Sequence, residues 1–315
     1  MVTVGVIANP ASGRDIRRLV AGASVFGNAD KAGMVFRLLT GLQATGVERV
    51  LMMPAADGLS ATLHRHLRNA TPVPAFEELE MPLEGTARDS VLATERMVAA
   101  GVRAIVVLGG DGTHRVVAKV CGDVPLCAIS TGTNNAFPEL RETTVAGLAT
   151  GLVATGRVNA LRRESALEVR VGALTDLALV DVAVTRERFV GARALWRPDA
   201  VSELFVTFAN PAAVGLSAIA GALENLPRGG GRGMHVRLGP GRAIRAALAP
   251  GLIADVEVES HKTIEIGEEF QVAPAAGTIA LDGERELERR DGEPAIVRLV
   301  EGPRTIDIDS AMAQA

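Results

Sequence analysis

The residues best suited to chemistry are an aspartate and a threonine inside a glycine-rich turn. Residues 104–108 read AIVVL and lead directly into residues 109–113, which read GGDGT. Closely spaced glycines let the backbone approach a polyphosphate and point its N–H groups at it, and a following helix start adds partial positive charge. A carboxylate repels phosphate, so Asp111 makes sense if it orients a hydroxyl nucleophile or faces a phosphate-bound Mg²⁺. The alternative is a tight turn in which Asp111 caps the helix.

Two further apolar segments end in polar loops of similar composition. Residues 2–8 run into residues 9–14 (NPASGR), and residues 124–129 run into residues 130–135 (STGTNN). In an open parallel sheet, ligands bind beyond the carboxyl ends of the strands. Each loop alone is explained as a turn, but three such loops at one edge of a sheet favour a nucleotide-phosphate site.

Strand and helix signals alternate through the first half of the chain. This alternation predicts an α/β domain with a mainly parallel sheet covered on both faces, and we assign residues 1–155 to it. The predicted strands are residues 2–8, 50–53, 104–108 and 124–129, and the predicted helices are residues 59–67, 86–100 and 115–120.

The pattern changes after about residue 156, where apolar and charged residues alternate as in antiparallel strands. We therefore expect a β-rich second domain over residues 156–300, with one short helix near residues 217–225. The C-terminal segment, residues 301–315, is expected to return to the first domain. The glycine-rich residues 229–233 are interpreted as a surface connection, with a lid over a ligand as the alternative.

Composition excludes several function classes. The 315-residue chain has a net charge of −4 and only 3% aromatic residues, which argues against a general nucleic-acid binder. The apolar runs are too short to span a membrane and the N-terminus lacks a signal peptide pattern, so we expect a cytoplasmic protein. None of its three lysines follows a glycine, which excludes a Walker A loop and leaves backbone amides and arginines for phosphate. Cys121 and Cys127 are expected to be buried free thiols.

Three motifs resemble a known kinase superfamily. The GGDGT turn at residues 109–113 matches the hallmark that NAD kinases share with diacylglycerol kinases, sphingosine kinases and phosphofructokinases. Residues 9–13 are similar to the N-terminal nucleotide loop of that superfamily. Residues 132–137 (GTNNAF) are similar to the G-T-x-N-D-F motif of the lipid kinases, with Ala136 in place of Asp. The longer stretches around residues 7–26 and 131–135 resemble the ATP-NAD kinase branch that includes acetoin catabolism protein X.

This resemblance implies an α/β domain, a β-rich domain and a cleft between them. It implies an ATP- and Mg²⁺-dependent kinase whose acceptor is a small-molecule hydroxyl, for NAD kinases the adenosine ribose 2′-hydroxyl, and it implies a homodimer. Asp111 would be the catalytic carboxylate that accepts or orients the attacking hydroxyl. The residues that would bind the nucleotide are Asn9, Ser12, Gly109, Gly110, Gly112, Thr113, Thr133, Asn134 and Asn135.

A second acidic motif, Asp282-Gly283-Glu284, follows the apolar residues 278–281. Asp-Gly between strands is a common hairpin turn, and that interpretation stays open. The lipid kinases carry a similar D-G-E in their β-rich domain, so Asp282 and Glu284 are candidate metal ligands. His114, directly after the glycine-rich turn, is expected to be solvated or to cap the helix.

Two other functions remain open. A lipid kinase is disfavoured by Ala136 and by the lack of a basic amphipathic stretch for membrane binding. A nucleotide-binding accessory protein of acetoin catabolism that has lost turnover is the alternative from another class, although the presence of Asp111 and all three loops argues against it.

Overall fold

A computed structural model describes residues 1–10, 24, 26–55, 58–68, 72–187, 198–273 and 276–315, with the backbone alone at residues 285 and 286. The first half is an α/β domain with a parallel sheet in the order β3-β2-β1-β4-β5, as predicted. Its strands are β1 Thr3–Ala8, β2 Arg49–Met52, β3 Ala75–Glu78, β4 Ile105–Gly109 and β5 Leu126–Ser130. Its helices are α1 Asn28–Ala44, α2 Leu59–Arg68, α3 Ala87–Ala99, α4 Asp111–Ala118 and α5 Thr143–Ala154.

Strands β1, β2, β4 and β5 are almost fully buried, which explains why they read as apolar runs, whereas the edge strand β3 is partly exposed. One face packs on α1, α2 and α5, and the other packs on α3 and α4. The start of α3 follows from its sequence, since the Thr86 hydroxyl accepts a hydrogen bond from the Arg88 N–H at 3.2 Å. Gly101, with φ of +72°, follows the end of this helix.

The second half is strand-rich and antiparallel, also as predicted. Its strands are β6 Leu161–Val171, β7 Leu174–Ala178, β8 Asp181–Thr185, β9 Val201–Val206, β10 Arg232–Ala249, β11 Leu252–Glu265, β12 Glu269–Val272, β13 Gly277–Leu281, β14 Glu284–Arg289 and β15 Ala295–Ile306. The helices here are α6 Ser217–Gly221 and α7 Ile308–Ala313, with a 3-10 turn at Pro198–Ala200.

One sheet runs through both halves of the chain. Strand β15 pairs with β6 in antiparallel fashion and meets β5 through Thr305 and Leu126, so β6, β7 and β12 extend the first sheet. The second sheet has the order β11-β10-β9-β8-β13-β14. After β15 the chain packs Ile308 and Ala311 of α7 into the core of the first half.

The prediction of a β-rich second domain did not specify the long hairpin of β10 and β11. Within the described ranges, we find no helix with both the length and the apolar character needed to cross a membrane.

Candidate active site

The described residues of the three polar loops meet at one edge of the first sheet. Asn9, after β1, donates from its side-chain Nδ2 to the Thr113 hydroxyl at 2.9 Å, and its backbone N–H donates to the Leu108 carbonyl at 3.1 Å. The loop after β5 joins through Thr133, whose backbone N–H donates to the Ser24 carbonyl at 2.9 Å. The Thr131 N–H also donates to the Gly109 carbonyl at 3.3 Å, so side-chain and backbone hydrogen bonds link the carboxyl ends of β1, β4 and β5.

Most of the predicted binding residues lie at this junction. They are Asn9, Gly109, Gly110, Gly112, Thr113, Thr133, Asn134 and Asn135. Thr133 is exposed, and Asn134 and Asn135 are half-buried. Ser12 lies outside the described residues. Their role in binding stays a prediction.

The three glycines of the turn lie in different surroundings. A Cβ on Gly109 would lie 2.7 Å from the Thr113 side chain, and one on Gly110 would lie 2.9 Å from the Asn135 amide oxygen. These two positions are glycine because the protein's own side chains fill the space. A Cβ on Gly112 would meet nothing within 4 Å, so Gly112 is the glycine that faces open space at the start of α4.

The Asp111 carboxylate is half-buried in the first turn of α4 and is held by the neighbouring loop. Its Oδ1 accepts from the Phe137 N–H at 2.8 Å, and both of its oxygens lie 3.1 Å from the Ala136 nitrogen. Gly110 is the N-cap of α4, and Asp111 is the first residue of the helix. The alternative in which Asp111 caps the helix is therefore wrong. The loop after β5 thus orients the carboxylate at the helix N-terminus.

The second half of the chain brings a further carboxylate to this place. Asp282 forms the β13–β14 turn with φ of +52°, followed by Gly283 at +74°, which confirms the hairpin interpretation. Its Oδ1 accepts backbone hydrogen bonds from Leu179 at 2.9 Å and Val180 at 2.7 Å. Both hydrogen bonds hold the Asp282 carboxylate in the protein interior.

The other oxygen of Asp282 faces a cation. Its Oδ2 lies 3.9 Å from Nε of Arg115, which belongs to α4, and both side chains are buried. Burial raises the pKa of Asp282 to about 8, the charge of Arg115 opposes this shift, and the charges of Asp111 and Asp181 add to it. Asp282 therefore sits in the electrostatic field of Asp111, while Glu284 is half-buried at the start of β14. Their role as metal ligands stays a prediction.

Two family models together cover most of the chain. Residues 4–158 match the ATP-NAD kinase N-terminal domain, and residues 165–302 match the acetoin catabolism protein X C-terminal domain. Acetoin catabolism protein X from Cupriavidus necator is 45% identical over 329 aligned positions, which cover 99% of this chain and 92% of that protein. The chain belongs to the acetoin catabolism protein X family.

A structural comparison finds a solved structure with a backbone similar to that of this member of the acetoin catabolism protein X family. It comes from Bacillus anthracis strain Sterne and is provisionally assigned as a diacylglycerol kinase. The identity is 14%, the TM-score is 0.49, and the match covers 96% of each chain. The family membership itself rests on the matches in sequence.

Sequence reasoning did not single out Lys31 in this acetoin catabolism protein X family member. Lys31 of α1 is 1% exposed, and its Nζ donates to the backbone carbonyls of Asn9 at 3.0 Å and Pro10 at 3.3 Å. The Walker A pattern requires a lysine directly after a glycine, and Lys31 follows Asp30, so that pattern could not identify it. The available signal was its helical phase, since Lys31 shares the buried face of α1 with Val35 and Leu38.

His114 is buried, which contradicts the expectation of a solvated or capping histidine. Its ring Nδ1 lies 2.9 Å from the Gly110 carbonyl oxygen, so Nδ1 carries the proton. Its Nε2 is buried with no hydrogen-bond partner. Burial lowers the pKa of His114 to about 4, and the charge of Arg228 adds to this effect.

We expect the free energy of unfolding to fall as the pH falls below about 6.5, because the unfolded chain then protonates His114 and the folded chain does not. His114→Asn keeps a donor for Gly110 and removes this titration. The stability advantage of the parent over this variant should shrink by about 1 kcal/mol between pH 6 and pH 5, measured by urea unfolding. Parallel pH profiles would show that His114 does not stay neutral in the fold.

Proposed function

We propose that this protein is an ATP-dependent kinase that transfers a phosphoryl group to a hydroxyl of a small molecule, with the ribose 2′-hydroxyl of NAD as the leading acceptor. The observation that carries the proposal is the Asp111 carboxylate, held by backbone N–H groups at the start of α4 among three polar loops. This arrangement lies within the residues that match the ATP-NAD kinase domain. The cytoplasmic location remains an expectation from the sequence pattern, and the homodimer remains an expectation from the family resemblance.

In the proposed reaction, Asp111 orients the acceptor hydroxyl and accepts its proton. The transition state of phosphoryl transfer is loose, so catalysis depends mainly on positioning and on neutralising charge. The first turn of α4 supplies partial positive charge, and Gly112 leaves space there for the phosphates. The hydrogen bond between Asn9 and Thr113 holds the end of β1 against the first turn of α4.

The donor set fits a Mg²⁺ ion that travels with the nucleotide. Within the described ranges, His, Cys, Asp and Glu side chains form no group of three or more that could hold a metal ion. Mg²⁺ normally keeps several waters and takes one or two carboxylates together with substrate phosphates. Asp111 is the first carboxylate that could face such an ion, and Asp282 and Glu284 are the further candidates. When bound, the ion would neutralise phosphate charge.

A panel of acceptors tests this function. Purified protein with ATP and Mg²⁺ would receive NAD, NADH, nucleosides, sugars or diacylglycerol vesicles, and ADP release would be followed. We expect ADP release with NAD, with matching formation of NADP detected by an NADP-specific dehydrogenase. ADP release only with diacylglycerol would instead identify a lipid kinase.

The second candidate function is a nucleotide-binding accessory protein without turnover. The observation that favours it is Ala136, whose N–H binds Asp111. The lipid kinase motif carries a carboxylate at this position, and this chain does not. ATP binding by calorimetry without phosphoryl transfer to any acceptor of the panel would support this candidate and contradict the kinase.

A further inference from the structure

A second-half arginine reaches the loop that holds the proposed catalytic carboxylate. Arg228 lies between α6 and β10, and its side chain is 15% exposed. Its Nη1 donates to the Phe137 backbone carbonyl at 2.7 Å. Its guanidinium carbon also lies 4.6 Å from the centre of the Phe137 ring and 5.3 Å from that of Phe208, within the range of cation–π attraction.

Phe137 connects this arginine to Asp111. The N–H of Phe137 donates to Asp111 Oδ1 at 2.8 Å, while the carbonyl of the same residue accepts from Arg228. The ring of Phe137 is also buried, at 1% exposure. Phe137 is therefore held at its N–H by the carboxylate, and at its carbonyl and its ring by the guanidinium.

A buried carboxylate fixes the position of Arg228. Its Nη2 lies 3.1 Å from Glu164 Oε1 and its Nε lies 3.3 Å from Oε2, a two-pronged pairing. Burial raises the pKa of Glu164, but the charges of Arg228 and Arg162 outweigh this and hold it below its ordinary value. Glu164 is thus ionised, and the Thr305 hydroxyl donates to it at 2.6 Å.

The glycine-rich turn after Arg228 makes this reach possible. Gly229 has φ of +71°, and a Cβ at this position would lie 2.5 Å from Cγ of Arg162. Only glycine lets the backbone pass so close to the Arg162 stem. The turn that the sequence suggested as a surface connection therefore packs against β6 and directs Arg228 into the first half of the chain.

The geometry points to Arg228 as a positioning residue of the second half, which fixes the Phe137 peptide and through it the orientation of the Asp111 carboxylate. This assignment rests on the proposed function where it concerns catalysis. Arg228 touches neither Asp111 nor the space beside Gly112 in any contact described above, so it acts through Phe137. Lysine could not replace it fully, because one ammonium cannot reproduce the guanidinium fork and its stacking on a ring.

The test compares Arg228→Met with Arg162→Met. Arg162 shares the Glu164 partner, with Nε at 2.9 Å from Oε1, but makes no described hydrogen bond to Phe137, so it is a matched control. Arg228→Met should lower kcat for phosphoryl transfer about 100-fold, as expected when a reacting group is misplaced by about 1 Å, with KM for ATP changed less than about threefold. Arg162→Met should keep kcat within about threefold of the parent.

Hydrogen exchange supplies a readout that needs no activity. The backbone amides of Ala136 and Phe137 should exchange at least about tenfold faster in Arg228→Met, because they lose the support of a charge-assisted network, and should not change in Arg162→Met. Arg228→Lys should give a smaller loss of kcat and a smaller gain in exchange. This variant also carries the test if Arg228→Met fails to fold.

Two outcomes would overturn the assignment. One is parent-like exchange at Ala136 and Phe137 in the folded variants of Arg228. The other is an equal effect of Arg228→Met and Arg162→Met, which would make the Glu164 network and not the Phe137 contact responsible. If the parent transfers no phosphoryl group to any acceptor, the proposed function fails, and the exchange data still decide whether Arg228 positions the Asp111 loop.

Discussion

Asp111→Asn is expected to lower the rate of phosphoryl transfer by about 10³-fold, in the range usual for loss of a general base, while ATP affinity stays within a few-fold of the parent. The substitution removes the negative charge and the proton acceptor but keeps the shape of the side chain. Binding of ATP relies on the loops and on the first turn of α4, which remain. Single-turnover transfer and calorimetric ATP titration measure the two quantities separately.

Asp111→Asn keeps the acceptor at Oδ1, which makes the shortest contact with the loop after β5. Oδ1 of Asp111 accepts from Phe137 at 2.8 Å and lies 3.1 Å from the Ala136 nitrogen. An asparagine with its amide oxygen at the Oδ1 position can still accept from both N–H groups, while its NH₂ group at the Oδ2 position loses the second acceptor contact with Ala136. The loop stays anchored, so a loss of turnover reports on chemistry at this carboxylate.

Asp123→Asn is the matched control, because its side chain is 76% exposed and pairs with Arg163 at the surface. It should leave kcat within about twofold of the parent, since exposed ion pairs contribute little. Turnover of Asp111→Asn at the level of this control would remove Asp111 from the catalytic role and with it the proposed mechanism.

The parallel sheet and its polar edge could be predicted from the sequence because their signals are local. Strand β4 is buried on both faces and reads as a run of apolar residues, and the GGDGT turn follows it directly. The hairpin at Asp282 and Gly283 carries its own turn signal. The capped helix α3 begins after a threonine and ends before a glycine. In each case neighbouring residues determine the conformation.

Helices α1 and α5 were not predicted, and their sequences show why. The buried face of α1 includes Lys31, a charge that breaks the apolar pattern. The sequence of α5, TTVAGLATGLVA, carries no charge and no clear polar face, and contains two glycines. Packing against α1 stabilises such a segment as a helix, and local propensity does not reveal this packing.

The cross-links of the candidate site could not be predicted because they join distant parts of the chain. Arg228 meets Phe137 across 91 positions, and Asn9 meets Thr113 across 104. Residue types suggested which side chains could do chemistry. Only the three-dimensional arrangement shows that Asp111 is oriented by the loop after β5 and that Arg115 faces Asp282.

Gly41→Ala is expected to lower the free energy of unfolding by about 3 kcal/mol, at the upper end of the usual cost of overpacking. Gly41 lies where α1 crosses α5. A Cβ there would be 2.8 Å from the Leu148 nitrogen and still closer to the Thr144 carbonyl oxygen. Both neighbours are backbone atoms, so no side-chain rotation can relieve the clash and the helices must separate. Urea unfolding followed by circular dichroism measures the change.

Gly33→Ala provides the control within the same helix. A Cβ on Gly33 would lie 3.6 Å from Nη1 of Arg37, an ordinary contact with a flexible side chain. Alanine there should raise the free energy of unfolding by about 0.5–1 kcal/mol, because glycine is a poor helix former. Opposite signs for the two variants would show that close packing, and not helix propensity, accounts for Gly41. If both variants are stabilised, α1 and α5 do not cross at this distance.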